Sequence, residues 1–160
     1  MIRLEKVNSH NVWKLLKLEV NEDQKNFVAT NTESIIEAYT TIAANGVALP
    51  FGIYDDDVPV GFLMIGYGVD DEWGNGPKIA EGNYCIWRLM IDKNHQGKGY
   101  GRRTMELALD YIKTMPLGKA EYVYLSFEPE NVKAKKMYES FGFSPNGEMD
   151  DEEIVMVKKL

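Results

Sequence analysis

Residues 83–103, NYCIWRLMIDKNHQGKGYGRR, decide how this chain folds. The first half is dense in branched and aromatic side chains and reads as a strand. His95 to Gly101 then supply three glycines in a short turn. Beyond it Thr104, Leu107, Ala108 and Tyr111 recur at helical spacing, and Pro116 and Gly118 close that helix. The next apolar run, YVYLSFE, reads as another strand. Strand, helix and strand in succession imply a parallel pair joined by a right-handed crossover.

Working outward, residues 2–7 (IRLEKV) alternate as a strand, and Ser9 or Asn11 opens a helix carrying Val12, Leu15, Leu16 and Glu19. NEDQKNFVATN reads as a loop or broken helix. Thr32 or Ser34 then opens a second helix through Ile35, Ile36, Ala38 and Tyr39, ended by Gly46. ALPFGIYD and VPVGFLMIGYGV form a hairpin about Asp55-Asp56-Asp57, and DDEWGNGPKIAEGN is a loop. On the C-terminal side, residues 131–141 form a helix capped by Gly142, and EEIVMVKKL is a last strand. The predicted order is β-α-α-β-β-β-α-β-α-β. It gives an α/β (α+β) domain over residues 1–160, with a mostly antiparallel sheet and one parallel pair.

The glycine turn also carries the chemistry. Gln96-Gly97-Lys98-Gly99-Tyr100-Gly101 lies between a hydrophobic strand and a helix start. Glycines let backbone approach a ligand closely, and a helix N-terminus adds free N–H donors and the positive dipole end. Lys98, Arg102 and Arg103 place three positive charges there in a chain of net charge −7. That reversal of sign suits a pyrophosphate. A dinucleotide fingerprint would need glycine where Arg102 stands, and a Walker A loop needs a different spacing.

Composition narrows the remaining options. Hydrophobic content of 44% and charged content of 27% are ordinary for a soluble globular protein. No apolar run approaches the roughly 20 residues that span a bilayer, and MIRLEKVNSH lacks a signal-peptide core. A cytoplasmic location is the expectation. Cys85 is the single cysteine and the two histidines stand apart, so neither a disulfide nor a metal site is expected. Net negative charge disfavours nucleic acid and suits a cationic partner. Exposed strand edges offer a homodimer surface without demonstrating one.

Taken together, Gln96, Gly99 and Gly101, followed downstream by Asn131, Ala134, Tyr138 and Gly142-Phe143, resemble the two motifs of GNAT acetyltransferases. VNEDQKNFVATNTESIIEAY and WRLMIDKNHQGKGYG are similar to the bacterial spermine/spermidine (diamine) acetyltransferase branch. The resemblance implies acetyl-CoA as co-substrate, with its pyrophosphate on Gln96, Gly97, Lys98, Gly99, Tyr100, Gly101 and Arg102. It adds Asn131 and Lys135 to the cofactor set. It also implies a splayed strand pair, with the pantetheine on the backbone of Leu89, Met90 and Ile91. A main-chain N–H near Met90 would face the developing oxyanion.

Such a reaction needs a base for the amine and a donor for the departing thiolate. The resemblance assigns the donor to Tyr138. For the base, Glu128 at the end of one strand and Glu81 before another remain alternatives. Some polyamine-acetylating members carry a glutamate where this chain has Trp87. Glu22, Asp23, Asp70, Asp71, Glu72 and Glu81 are expected to wall the acceptor site. Phe27, Trp73, Tyr84 and Trp87 would line methylene segments. The expected acceptor is a small cationic polyamine. Protein N-termini, an aminoglycoside, or a non-catalytic sensor of acetyl-CoA or polyamine are the other readings.

Overall fold

The computed structural model describes all 160 residues. Seven strands form one sheet in the order β1-β2-β3-β4-β5-β7-β6. They are β1 (Ile2–Lys6), β2 (Val47–Asp55), β3 (Val58–Tyr67), β4 (Tyr84–Ile91), β5 (Tyr122–Phe127), β6 (Ser144–Asp150) and β7 (Glu153–Lys159). All neighbours are antiparallel except β4 and β5, which run parallel as the crossover argument requires.

That parallel pairing is short. Tyr84 faces Val123 and Cys85 faces Tyr124, and the two strands then part. From Ile86 onward β4 pairs only with β3. An extra residue in β4 interrupts that ladder, because Met64 faces Arg88 while Ile65 faces Ile86. A bulge of this kind turns two successive side chains to one face. Leu89 and Ile91 accordingly pack with one core cluster and Met90 and Trp87 with the other.

The helices are α1 (Val12–Leu15), α2 (Asn31–Ala43), α3 (Tyr100–Lys113) and α4 (Val132–Ser140). On one face the larger core joins Met105, Ala108, Leu109 and Ile112 of α3 to Phe51, Ile53, Leu63, Ile65 and Leu125 of the sheet, with Met137 and Tyr138 of α4 against it. On the other face Ala38 and Ile35 of α2 cover Ala48, Phe62, Met64 and Met90. The α3 stripe is broader than its predicted members, for Leu107 and Tyr111 are half-buried while Met105, Leu109 and Ile112 fill the core. No helix is long and apolar enough to cross a membrane.

Three local expectations are corrected. Helix α1 is a single turn and stops before Glu19. Asn11 precedes it without capping it, since its amide oxygen accepts the Asn8 N–H at 2.8 Å. Helix α2 is capped by Thr30 rather than Thr32 or Ser34. The Thr30 hydroxyl accepts the Glu33 N–H and the Glu33 carboxylate accepts the Thr30 N–H, a complete capping box. Finally, β6 lies where no strand was expected. It is a mostly exposed edge strand with a register break between Pro145 and Met149, and Gly147 has φ 88°.

Candidate active site

Where β4 and β5 part, a cleft of about 1280 Å³ opens between them. The groups of Ile86–Ile91 that would have met β5 have no strand partner there. Unpaired backbone in a cleft must be satisfied by water or ligand. Leu89, Met90, Ile91, Gln96, Gly97, Gly99, Tyr100, Gly101, Arg102 and Asn131 all line it, together with Tyr138 and Glu128.

The glycine turn ends in α3, whose N-cap is Gly99 at φ 80°, with Gly97 at φ 77°. Neither would bring a Cβ within 4 Å of any protein atom, so both face open space. Gly101 is different: its φ is not positive, and a Cβ there would sit 3.9 Å from Ile91 and Met137. No side chain caps the helix, so its first N–H groups, on residues that line the cleft, lack a side-chain partner. The basic residues are placed less uniformly. Arg102 lies over the Phe141 ring at 4.8 Å and donates to Ser140 Oγ at 3.0 Å. Arg103 is paired with Glu106. Lys98 is exposed beside the turn, and Lys135 lies near Glu139, while Lys133 lines the cleft instead.

Side chains of the turn brace it. The Gln96 amide donates to the Ile91 carbonyl at 3.0 Å and to Gln24 at 2.8 Å, tying the turn to β4 and to a 3-10 turn at Glu22–Gln24. The Tyr100 hydroxyl donates to Asp55 Oδ2 at 2.6 Å, which locks the start of α3 to the β2–β3 hairpin. That bond, with the N-terminal ammonium beside it, holds the Asp55 carboxyl below its usual range, and raises Tyr100 in return. Asp92 is buried and accepts the N–H groups of Glu19 and Asn94. Gln24 and Asp92 carry no motif signal for this bracing, because Gln24 meets Gln96 from 72 residues away and Asp92 meets Glu19 from 73.

Helix α4 presents Tyr138 to the cleft. Asn131 caps it by accepting the Ala134 N–H at 3.3 Å. At its far end Gly142, at φ 90°, lets the Phe143 N–H return to the Tyr138 carbonyl and its own N–H to Glu139. This Schellman closure buries Phe143 and fixes the turn that carries Tyr138. The Tyr138 ring packs on Phe127 and Phe143. Burial, helped by the Glu153 charge, pushes its hydroxyl up to about 12. The hydroxyl therefore stays protonated well above neutral pH.

The expected acceptor walls divide. Phe27 and Trp87 line the cleft. Tyr84 does not: it is fully buried, and its hydroxyl donates to the Gly118 carbonyl and accepts the N–H groups of Leu117 and Gly118. Glu81 is also displaced, lining a separate cavity of about 850 Å³ with Lys78, Lys119 and Glu148. Asp70, Asp71, Glu72 and Trp73 cluster away from the cleft, where Asp71 accepts from Asn45. Glu22 and Asp23 sit in the 3-10 turn, and Glu22 pairs with Lys25.

The acids that do line the cleft are Glu33, Glu128 and the β6–β7 turn, Asp150-Asp151-Glu152-Glu153. Glu33 is committed to its capping box. Sequence reasoning missed the turn because β6 itself was missed; the run DDEE between two strands was its only available signal. Burial raises both Asp150 and Glu153 above ordinary carboxylates. On β4, Arg88 makes two contacts to the Glu37 carboxylate at 2.9 and 3.0 Å.

Comparison with known proteins agrees with this geometry. A family model described as Acetyltransferase (GNAT) family matches residues 9–143. The chain is 31% identical over 160 residues to a probable spermine N(1)-acetyltransferase of Bacillus subtilis subsp. natto (strain BEST195), covering 99% of both chains. It is equally similar, at 31% over the same length, to a spermine/spermidine N(1)-acetyltransferase of Bacillus subtilis (strain 168). The crystal structure of aminoglycoside acetyltransferase AAC(6')-Ib with coenzyme A superposes with a TM-score of 0.76 at 16% identity, covering 99% of this chain and 95% of that one. With two motifs at the mouth of a parted β4–β5 pair, this chain belongs to the GNAT acetyltransferase family and is an N-acetyltransferase.

Proposed function

We propose that the chain transfers acetyl from acetyl-CoA to a primary amine of a small polyamine, of the spermine or spermidine type. The observation that carries this reading is the lining of one cleft. The uncapped start of α3 with Arg102 lines it, and so do Glu128, Asp150, Asp151, Glu152 and Glu153. An anionic donor and a cationic acceptor would then both find complementary charge in the same cleft. Phe27, Val28 and Trp87 offer apolar wall to the methylene segments.

Acetyl-CoA supplies an activated thioester when bound. The chain's own residues then act by position. Gly97 and Gly99 admit the pyrophosphate to the N-terminus of α3, and backbone groups of Leu89–Ile91 on the side that parts from β5 hold the pantetheine. An N–H near Met90 stabilises negative charge on the carbonyl oxygen as the amine attacks. Tyr138 hydrogen-bonds the sulfur and hands it a proton as the carbon–sulfur bond breaks. The cleft carboxylates hold distal ammonium groups while the reacting nitrogen is deprotonated, with Glu128 among them. One domain of residues 1–160, acting in the cytoplasm, suffices for this chemistry.

Thiol release from acetyl-CoA would be followed with spermine, spermidine, putrescine, an aminoglycoside and an N-terminal peptide. The expected order places spermine and spermidine highest in kcat/KM. Equal or better turnover of the peptide would refute the polyamine reading. An aminoglycoside is also polycationic and is the competing acceptor for the same carboxylates. Tight acetyl-CoA binding with no thiol release from any amine would make the chain a sensor.

A further inference from the structure

We infer that Glu153, on β7, accepts the proton of the attacking amine. This rests on the amine-acetylating reading above. Alkylamines have pKa values near 10.4, so the acceptor enters as ammonium and must lose a proton before its nitrogen can attack. β4, beside the thioester, supplies no acid for this: its residue is Trp87, and Arg88 next to it is cationic. The base must therefore come from across the gap.

Of the cleft acids, Asp151 and Glu152 are exposed at the turn, and Glu33 is held in its capping box. Asp150, Glu128 and Glu153 are half-buried. Glu153 alone of these three is fixed by a side chain: Ser126 Oγ on β5 donates to its Oε1 at 3.0 Å. Oε2 is left for a proton. The register Phe127 to Ile154 carries forward to set Glu128 opposite Glu153. Two carboxylates thus share one end of the gap, and Tyr138 on α4 senses the Glu153 charge from the other side.

The charges facing Glu153 explain its tuning. Partial burial raises it most, the Ser126 bond lowers it, Glu128 raises it, Arg88 lowers it and Asp150 raises it. The result is a carboxylate more basic than a solvated one. The ammonium first passes one proton to Glu153 Oε2, which releases it to solvent, and the neutral nitrogen then attacks as the nitrogen–carbon bond forms. As the carbon–sulfur bond breaks, Tyr138 gives its proton to the sulfur, the second nitrogen proton leaves through Glu153 to solvent, and Tyr138 is reprotonated from solvent.

The test is a pH series of kcat and KM for wild type, Glu153→Gln, Glu153→Asp and Glu128→Gln, with melting temperature and acetyl-CoA affinity measured alongside. Glu153→Gln should lower kcat about 10²-fold or more at pH 7. The deficit should shrink towards pH 10, where the amine loses its proton unaided. Glu153→Asp should keep part of the activity. Glu128→Gln should move the acidic limb of the kcat profile to lower pH, because a like charge is removed. A Glu153→Gln deficit that lies wholly in KM, that is the same at pH 7 and pH 10, or that is under about threefold overturns the assignment. So does an acidic limb that stays in place in Glu128→Gln, a readout that survives if Glu153→Gln does not fold. The wild type is assayed first on the whole amine panel. The polyamine reading fails there, and the Glu153 assignment fails on the variants with whichever amine is used.

Discussion

Replacing Tyr138 with Phe separates the chemistry of its hydroxyl from its packing. The ring fills the space between Phe127 and Phe143, and Phe preserves both aromatic contacts. Burial and the Glu153 charge are the influences acting on the hydroxyl, and no protein hydrogen bond is among them. Its removal therefore strands no protein donor or acceptor. Stability should stay within about 0.5 kcal/mol, and the melting temperature within about 2 °C for a chain of this size. Catalysis should respond differently. With its pKa pushed up to about 12, the hydroxyl is protonated at pH 8 in all but roughly one molecule in 10⁴. It can donate to a developing thiolate, and hydrogen bonds to charged groups are worth about 1.5–3 kcal/mol. Since about 1.36 kcal/mol is tenfold in rate, kcat should fall about 10- to 150-fold. KM should hold, because the thiolate exists only late in the reaction. Steady-state thiol release and a thermal melt read the two effects. Wild-type kcat in Tyr138→Phe, or a large fall in melting temperature, would refute the reasoning.

Gly99→Ala and Gly101→Ala should behave oppositely. At φ 80° the first is strained by about 1–2 kcal/mol and should melt lower and bind acetyl-CoA more weakly, although nothing crowds its Cβ. Gly101→Ala meets only ordinary contacts at 3.9 Å and should be as stable or up to about 1 kcal/mol more so; equal melts for the two would contradict the loop geometry. Burial pushes the Cys85 thiol from 9.0 up to about 12, so native protein should resist iodoacetamide at pH 8 and label fully in denaturant. The unfolded chain loses that proton first, so stability should fall as pH rises from 9.0 towards about 12; a flat urea midpoint over that window would disprove it. Asn31 is buried and donates to the Leu15 carbonyl at 2.9 Å, joining α2 to α1. Asn31→Ala should destabilise by about 1–3 kcal/mol in urea unfolding.

The elements readable in advance were those whose signal is local. β4, the glycine turn and α3 each announce themselves through side-chain period, glycine and basic charge within about twenty residues. Gly142-Phe143 likewise foretells its cap, since a Schellman closure involves only neighbouring residues. Thr30 and Glu33 stand at capping-box spacing, but Thr32 and Ser34 offer the same hydroxyl chemistry within one turn, so the cap is settled only by the fold.

What residues 83–103 decide alone is a strand, a glycine turn and a helix start, because each follows from short-range backbone preferences. The tertiary structure decides which acids reach the cleft. Strand order brings Asp150 to Glu153 beside Glu128 and sends Glu81 to another cavity and Asp70 to Glu72 elsewhere. Acidity in sequence is only composition. Its position depends on β7 inserting between β5 and the exposed edge strand β6, a pairing of segments distant in the chain that no local pattern records.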